Sequence, residues 1–289
     1  FNSRYLFKIP KTVHMIWLGP CPFPIESVKN VRSWVAHHPD WTFIFWTDRK
    51  CPPPCKEMEV KYIDDFDFDF LEKPFFSSRN WREKSDLLRY EILYKEGGLY
   101  IDHNMRCVRP FHGLHKGYDF YACLEMPHEE IDMLRLTVGN AIIGCKPMHP
   151  VMRGAIQSVL DRWEEETSKF LTLEPLVHAR LAAHRTYIPF TLSIKKHINA
   201  LGNTDIIFPA AYFYPKHNLP GFYSYYMSPP SFQKHKESES EKFFSRIIKF
   251  FKYRDMKLIR FDLLSLFALI GSLILYFLMN KDLKKILGP

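Results

Sequence analysis

The 289 residues suffice for one large or two small domains, and with 46% apolar and 25% charged residues they support a buried core and exclude wholesale disorder. Only 12 glycines and 21 scattered prolines exclude collagen-like and low-complexity chains. The net charge of +8 invites a nucleic-acid reading, but residues 234–289 hold twelve Lys/Arg against six Asp/Glu, a net +6, so the surplus belongs to the C-terminal stretch and no nucleic-acid partner is expected.

In chain order, Thr12–Leu18 (TVHMIWL) is an apolar run that predicts a buried strand, closed by the turn Gly19-Pro20. Ile25–Val35 has helical apolar spacing, and Trp41–Trp46 (WTFIFW) predicts a second strand. Strand, helix and strand at this length predict a parallel pair and an α/β sheet. Cys51 and Cys55 bracket three prolines, which is not a zinc spacing, and six cysteines in so long a chain do not make a disulfide scaffold. Asp64–Phe70 (DDFDFDF) alternates acid and Phe and is read as a surface turn with Phe anchors in preference to a metal site.

Trp81–Glu96 predicts a helix stopped by Gly97-Gly98, and Leu99–Asp102 a strand. Tyr118–Leu124 and Ala141–Gly144 are further strand candidates, Pro150–Glu166 is an amphipathic helix, and Ile206–Tyr214 is a late strand or loop. These divisions give an α/β domain over 1–233 and a charged linker with a basic collar over 234–260. Residues 261–280 then predict a membrane helix, and 281–289 a basic tail. Phe261–Met279 carries one charge, Asp262. Its span as a helix, roughly 26–28 Å, matches the hydrocarbon thickness. A buried core helix is the alternative, and basic residues on both sides favour the membrane. Six Lys/Arg in 246–260 place the 1–233 domain on the cytoplasmic face by the positive-inside rule and suit anionic membrane lipids.

The most informative stretch is Arg82–Pro110. Asp86 and Arg89 are three apart and share one helix face. The Gly97-Gly98 break leads straight into a strand that ends in Asp102, His103 and Asn104. Ligands of open α/β sheets bind outside such strand ends. An acid, a spacer and an oxygen donor there suit a hard cation, Mg²⁺ or Mn²⁺, shared with a diphosphate.

The run SDLLRYEILYKEGGLYID resembles the signature of glycosyltransferase family 32, the sugar-binding region that contains the DxD motif. The resemblance extends over residues 9–215 and includes IPKTVHMIWLG, FIFWTD and NAIIGCKPMHPVM. It implies a GT-A fold: an α/β, mainly parallel, nucleotide-sugar-binding sheet. It also implies transfer of a hexose, with retention, from a GDP- or UDP-sugar to a lipid, glycan or protein acceptor. By position, Trp17 would border the donor base, Asp86 the sugar hydroxyls, Arg89 the sugar–diphosphate region and Tyr100 the phosphate. Asp102 and Asn104 would take the two DxD positions and hold Mn²⁺ or Mg²⁺, and Asn140 would lie near the donor sugar. Asp86, Arg89 and Asp102 form the catalytic set. Retention lets the leaving phosphate take the acceptor's proton, so no pair of catalytic carboxylates is required.

Two departures stand out. The motif is Asp-His-Asn, whose amide offers a neutral oxygen and weakens cation binding. The family also tends to end its domain with a metal-holding His followed by Ser-Trp; the counterpart here, Tyr226 through Ser231-Phe232, lacks it, and neither His217 nor His235 is expected to substitute. A catalytically weak or inactive nucleotide-sugar-binding membrane protein is therefore the alternative. His14, His37, His38, His178 and His184 stand at no diagnostic spacing and are read as structural or surface groups.

Overall fold

Strand β1 (Thr12–Trp17) is buried along nearly its whole length, which explains a continuous apolar run in place of alternation. The computed structural model describes residues 7–125, 137–169, 182–214 and 223–226. A 3₁₀ turn (Ile25–Ser27) and helix α1 (Val28–His37) carry the chain from β1 to β2 (Thr42–Thr47). The two strands pair in parallel from Thr12↔Thr42 to Trp17↔Thr47, the predicted strand–helix–strand unit. β3 (Met58–Tyr62) adds in parallel outside β2. It was not foreseen, because MEVKY is a half-exposed edge strand with only two apolar side chains before its tyrosine.

Helix α2 (Glu72–Ser77) leads into α3 (Trp81–Lys95), whose first turn is capped by the Asn80 side chain accepting from the Arg82 N–H at 3.0 Å. The chain then drops into β4 (Gly98–Ile101), parallel to β1. The glycine pair is required here. Gly97 and Gly98 have φ of +66° and +100°, and a Cβ on Gly98 would meet the Thr12 carbonyl oxygen at 2.6 Å. In sequence order follow β5 (Met105–Cys107), α4 (His112–Gly117), β6 (Phe120–Leu124), β7 (Val138–Cys145) and α5 (Pro150–Lys169). A π-helical turn (Ala183–Tyr187) runs into α6 (Ile188–His197), and β8 (Asp205–Phe208) and β9 (Ser224–Tyr226) complete the described elements. Of the segment Ile206–Tyr214, read as a late strand or loop, the first three residues lie in the strand. Pro209 ends it, and a 3₁₀ turn (Ala210–Tyr212) follows.

The main sheet has the order β3-β2-β1-β4-β7-β6-β8. Only β7 runs against the rest, so the sheet is mainly parallel, as expected. β5 and β9 pair separately as an antiparallel ribbon. Alternate side chains feed a core on each face. Ile16, Ile44, Tyr100 and Ile143 pack with α3, α5 and α6, while Val13, Met15, Phe45 and Leu99 pack with α1 and with Phe111 and Phe213. The Asp64–Phe70 run is the expected turn with aromatic anchors: its acids are exposed and its three Phe side chains half-buried. Buried Glu91 of α3 holds its end by accepting the N–H groups of Asp69, Phe70 and Leu71 at 2.6, 2.8 and 2.9 Å.

The buried histidines are structural. His14 bonds the Gly97 carbonyl at 2.9 Å through Nε2 and accepts the Trp46 indole N–H at 3.2 Å through Nδ1, so it is neutral. Burial lowers its pKa to about 4. The linker at 234–260, the membrane helix at 261–280 and the tail at 281–289 lie outside the described residues, as do His178, His217 and His235. Among the described residues, no helix is long and apolar enough to cross a membrane.

Candidate active site

Because β1, β2 and β4 are parallel, their carboxyl ends share one edge of the sheet, and α3 crosses beside it. The side chains of Asp86 and Arg89 meet Asp102 there. Arg89 Nη2 lies 3.0 Å from Asp86 Oδ1 and 3.3 Å from Asp102 Oδ1. Its Nη1 donates to the Asn140 carbonyl at 2.5 Å, and the guanidinium lies 4.1 Å above the centre of the Tyr100 ring. Arg89 is 5% exposed, Asp86 16% and Asp102 28%, so the cluster runs from a buried arginine to an accessible carboxylate.

The other predicted residues complete the network. Asn140 Nδ2 donates to Asp86 Oδ1 at 3.0 Å and to the Tyr90 hydroxyl at 3.4 Å. Tyr100, expected near the phosphate, is fully buried, and its hydroxyl donates to Asp102 Oδ1 at 2.7 Å. Strand alternation is the reason: Leu99 and Ile101 enter one core and Tyr100 the other, beneath Arg89. Trp17 stands at the end of β1, its indole N–H donating to the Cys21 carbonyl at 2.9 Å and its ring edge-on to His103 at 5.0 Å. His103 is held by the Ser27 hydroxyl, 2.8 Å from Nδ1, and burial lowers its pKa.

Burial acts against the charges of Arg89 and Asp86. Desolvation alone would lower the Arg89 pKa, but Tyr100, Asp102 and Asp86 around it more than reverse this, and it is raised. Burial raises the Asp86 carboxyl, opposed by the Arg89 charge and by the bonds from Thr186 and Asn140. Burial likewise raises the phenols of Tyr100 and Tyr90, which act as neutral donors. One guanidinium between two carboxylates leaves a formal charge of −1 in the cluster, with Asp102 its most exposed member.

Thr186 was not foreseen. Its hydroxyl lies 2.7 Å from Asp86 Oδ2 and 2.8 Å from the Ala182 carbonyl, and the carboxylate is the stronger acceptor for its single proton. The π turn places Thr186 on Asp86 and, one residue earlier, Arg185 Nη1 3.5 Å from Glu83 Oε2. Both partners are on α3, three residues apart. Such π turns often mark functional sites.

For a divalent cation the donor set fits at the lower limit. Asp102 is partly exposed, and Asn104 Oδ1 is buried without a hydrogen-bond partner among the described residues. No group of three or more His, Cys, Asp or Glu side chains positioned for a metal is found among the described residues. A cation here would therefore rest on Asp102, Asn104 and ligand oxygens, a pattern that suits Mg²⁺ or Mn²⁺ on a diphosphate.

Comparison with known proteins matches residues 24–121 to the glycosyltransferase sugar-binding region containing the DXD motif. Mannosyl phosphorylinositol ceramide synthase CSH1 of Saccharomyces cerevisiae is 30% identical over 167 residues, which is 55% of this chain and 38% of the yeast protein. Inositol phosphoceramide mannosyltransferase 1 of Schizosaccharomyces pombe is 29% identical over 156 residues, covering 53% of this chain and 43% of that protein. The chain thus spans less than half the length of these curated relatives. Among solved structures, the PaToxG glycosyltransferase aligns over 66% of this chain and 70% of its own at a TM-score of 0.49 and 16% identity.

Proposed function

Since residues 24–121 match the glycosyltransferase sugar-binding region that contains the DXD motif, we propose that this chain is a retaining hexosyltransferase with a nucleotide-sugar donor and a GT-A type of donor site. The observation that carries the proposal is the closed set Asp86–Arg89–Asp102 at the carboxyl edge of a mainly parallel sheet.

Cleaving a sugar–phosphate bond places negative charge on the diphosphate and positive charge at the anomeric carbon. Arg89 is fixed by two carboxylates and a carbonyl, so its charge is preorganised and needs no reorientation during reaction. Asp86, held from three sides, presents a fixed acceptor for sugar hydroxyls. Asp102 is the accessible member, locked by Tyr100 from below. A divalent cation on Asp102 and Asn104 would offset the local −1 charge and neutralise developing diphosphate charge. The leaving phosphate can take the acceptor's proton on the same face, which requires no second carboxylate.

Both yeast relatives are named for adding mannose to an inositol phosphoceramide, so GDP-mannose with an inositol-phosphoceramide lipid is the first pair to test. The apolar stretch 261–280 and its basic collar support a membrane-anchored enzyme with its catalytic domain on the cytoplasmic face. The neutral Asn104 favours one second reading, a nucleotide-sugar-binding protein of little or no activity. A panel of GDP- and UDP-hexoses, with and without Mn²⁺, separates the two: turnover of one donor supports the transferase, and binding without turnover supports the second reading.

A further inference from the structure

We propose that the rim of this site is itself a membrane-docking face: Ile25, Phe76 and Trp81, set among Arg79, Arg82 and Lys84, seat the domain on an anionic lipid bilayer with the donor site opening toward it. The geometry starts from three large apolar side chains that are 82%, 62% and 44% exposed. A single exposed apolar side chain is ordinary on a protein surface, whereas apolar side chains grouped with cations at the rim of a site mark a contact surface.

Two of them belong to one patch. Lys84 Nζ lies 4.9 Å from the ring centre of Phe75, 6.0 Å from Phe76 and 5.1 Å from Trp81, so the α2–α3 corner is a single aromatic surface with a cation in it. Trp81 also fixes where that corner sits. A Cβ on Gly19 would lie 2.7 Å from the Trp81 ring, so the ring lies directly against the turn that leaves β1. Gly19 in turn donates its N–H to Asp48, just beyond β2, at 2.9 Å. The patch therefore stands at the carboxyl edge of the sheet, the edge that carries Asp102.

Ile25 stands at the same edge. Ser27, two residues on, has its hydroxyl 2.8 Å from His103 Nδ1, and the ring of Trp17, two residues before Gly19, lies edge-on to His103 at 5.0 Å. The turn that carries Ile25 and the turn that meets Trp81 thus both stand beside the Asp102-His103-Asn104 motif. Exposed aromatics beside Lys and Arg are the make-up of interfacial membrane contacts, where rings enter the headgroup layer and cations meet anionic lipid. Arg79 and Arg82 are exposed on the corner, against exposed Glu72 and Glu26. The residues of this contact are other than the apolar stretch 261–280, and the contact deepens the transferase reading, on which it rests, by specifying an acceptor presented at a bilayer surface.

The test is hydrogen exchange of the full chain with vesicles of phosphatidylcholine alone or with added phosphatidylserine, with donor hydrolysis measured in the same samples. The proposal expects severalfold slower exchange in residues 19–27 and 72–84 with phosphatidylserine vesicles, and loss of that protection in Phe76→Ser and Arg79→Glu. Equal protection by neutral vesicles, protection that follows protein concentration without lipid (a second copy on the patch), or none at all overturns it. Donor hydrolysis without protection sinks the docking face alone, whereas protection without hydrolysis of any donor sinks the transferase reading and leaves the face.

Discussion

Arg89 Nη2 lies 3.3 Å from Asp102 Oδ1, tying the middle of α3 to the residue that follows β4. This contact joins two pieces of chain separated by the Gly97-Gly98 turn, and it makes the accessible carboxylate of the site part of a buried ionic cluster.

Replacing Arg89 by Met should destabilise the fold by about 3–5 kcal/mol, because it leaves buried Asp86 without its countercharge. Denaturant midpoints at neutral and mildly acidic pH check this. The loss should shrink as pH falls, since protonated Asp86 no longer needs the partner.

Thr186→Val removes the hydroxyl on Asp86 Oδ2 and should cost about 1–3 kcal/mol, with a weaker donor KM as the kinetic sign. Thr186→Ser should restore both. Equal KM values in Val and wild-type proteins would show that Thr186 does not set the Asp86 carboxylate for the donor.

Asn104→Asp adds the second acid that the motif lacks. If Asn104 Oδ1 faces the cation, Mn²⁺ affinity should rise about tenfold, roughly 1.4 kcal/mol. A titration of Mn²⁺ in the presence of nucleotide diphosphate reads this directly, and an unchanged affinity would remove Asn104 from the metal site.

Three buried histidines predict the pH profile of stability. Burial lowers His14 and His38 to about 4 and His115 to about 3. The unfolded chain takes up these protons near pH ~6.5, the folded chain only near ~4 or below, so folding loses stability as pH falls through that window, about 1.4 kcal/mol per unit for each group. Urea midpoints should therefore be flat above about pH 7 and fall steeply toward ~4.5.

The core of the site was legible because its logic is local. Asp86 and Arg89 share a helix face by spacing, the glycine pair announces the turn, and Asp102 ends a strand. The burial of Tyr100 was not legible, because the sequence does not reveal which sheet face α3 covers. Once α3 lies there, burial turns the phenol into a support for Asp102 and Arg89. Thr186 carried no signal. It lies a hundred residues from Asp86 in sequence, in a π turn that only packing against α3 explains. β3 was missed for the opposite reason, since an edge strand with polar side chains has too little apolar pattern to stand out.

The most direct test of the central claim is the rate of donor hydrolysis by the full chain and by Asp102→Ala, with Mn²⁺ and the nucleotide sugar preferred in the donor panel. The account predicts a loss of at least about 100-fold in the variant while the protein stays folded, the scale expected when a preorganised electrostatic partner of a leaving group is removed. An unchanged rate would place the chemistry elsewhere and contradict the assignment of Asp86, Arg89 and Asp102.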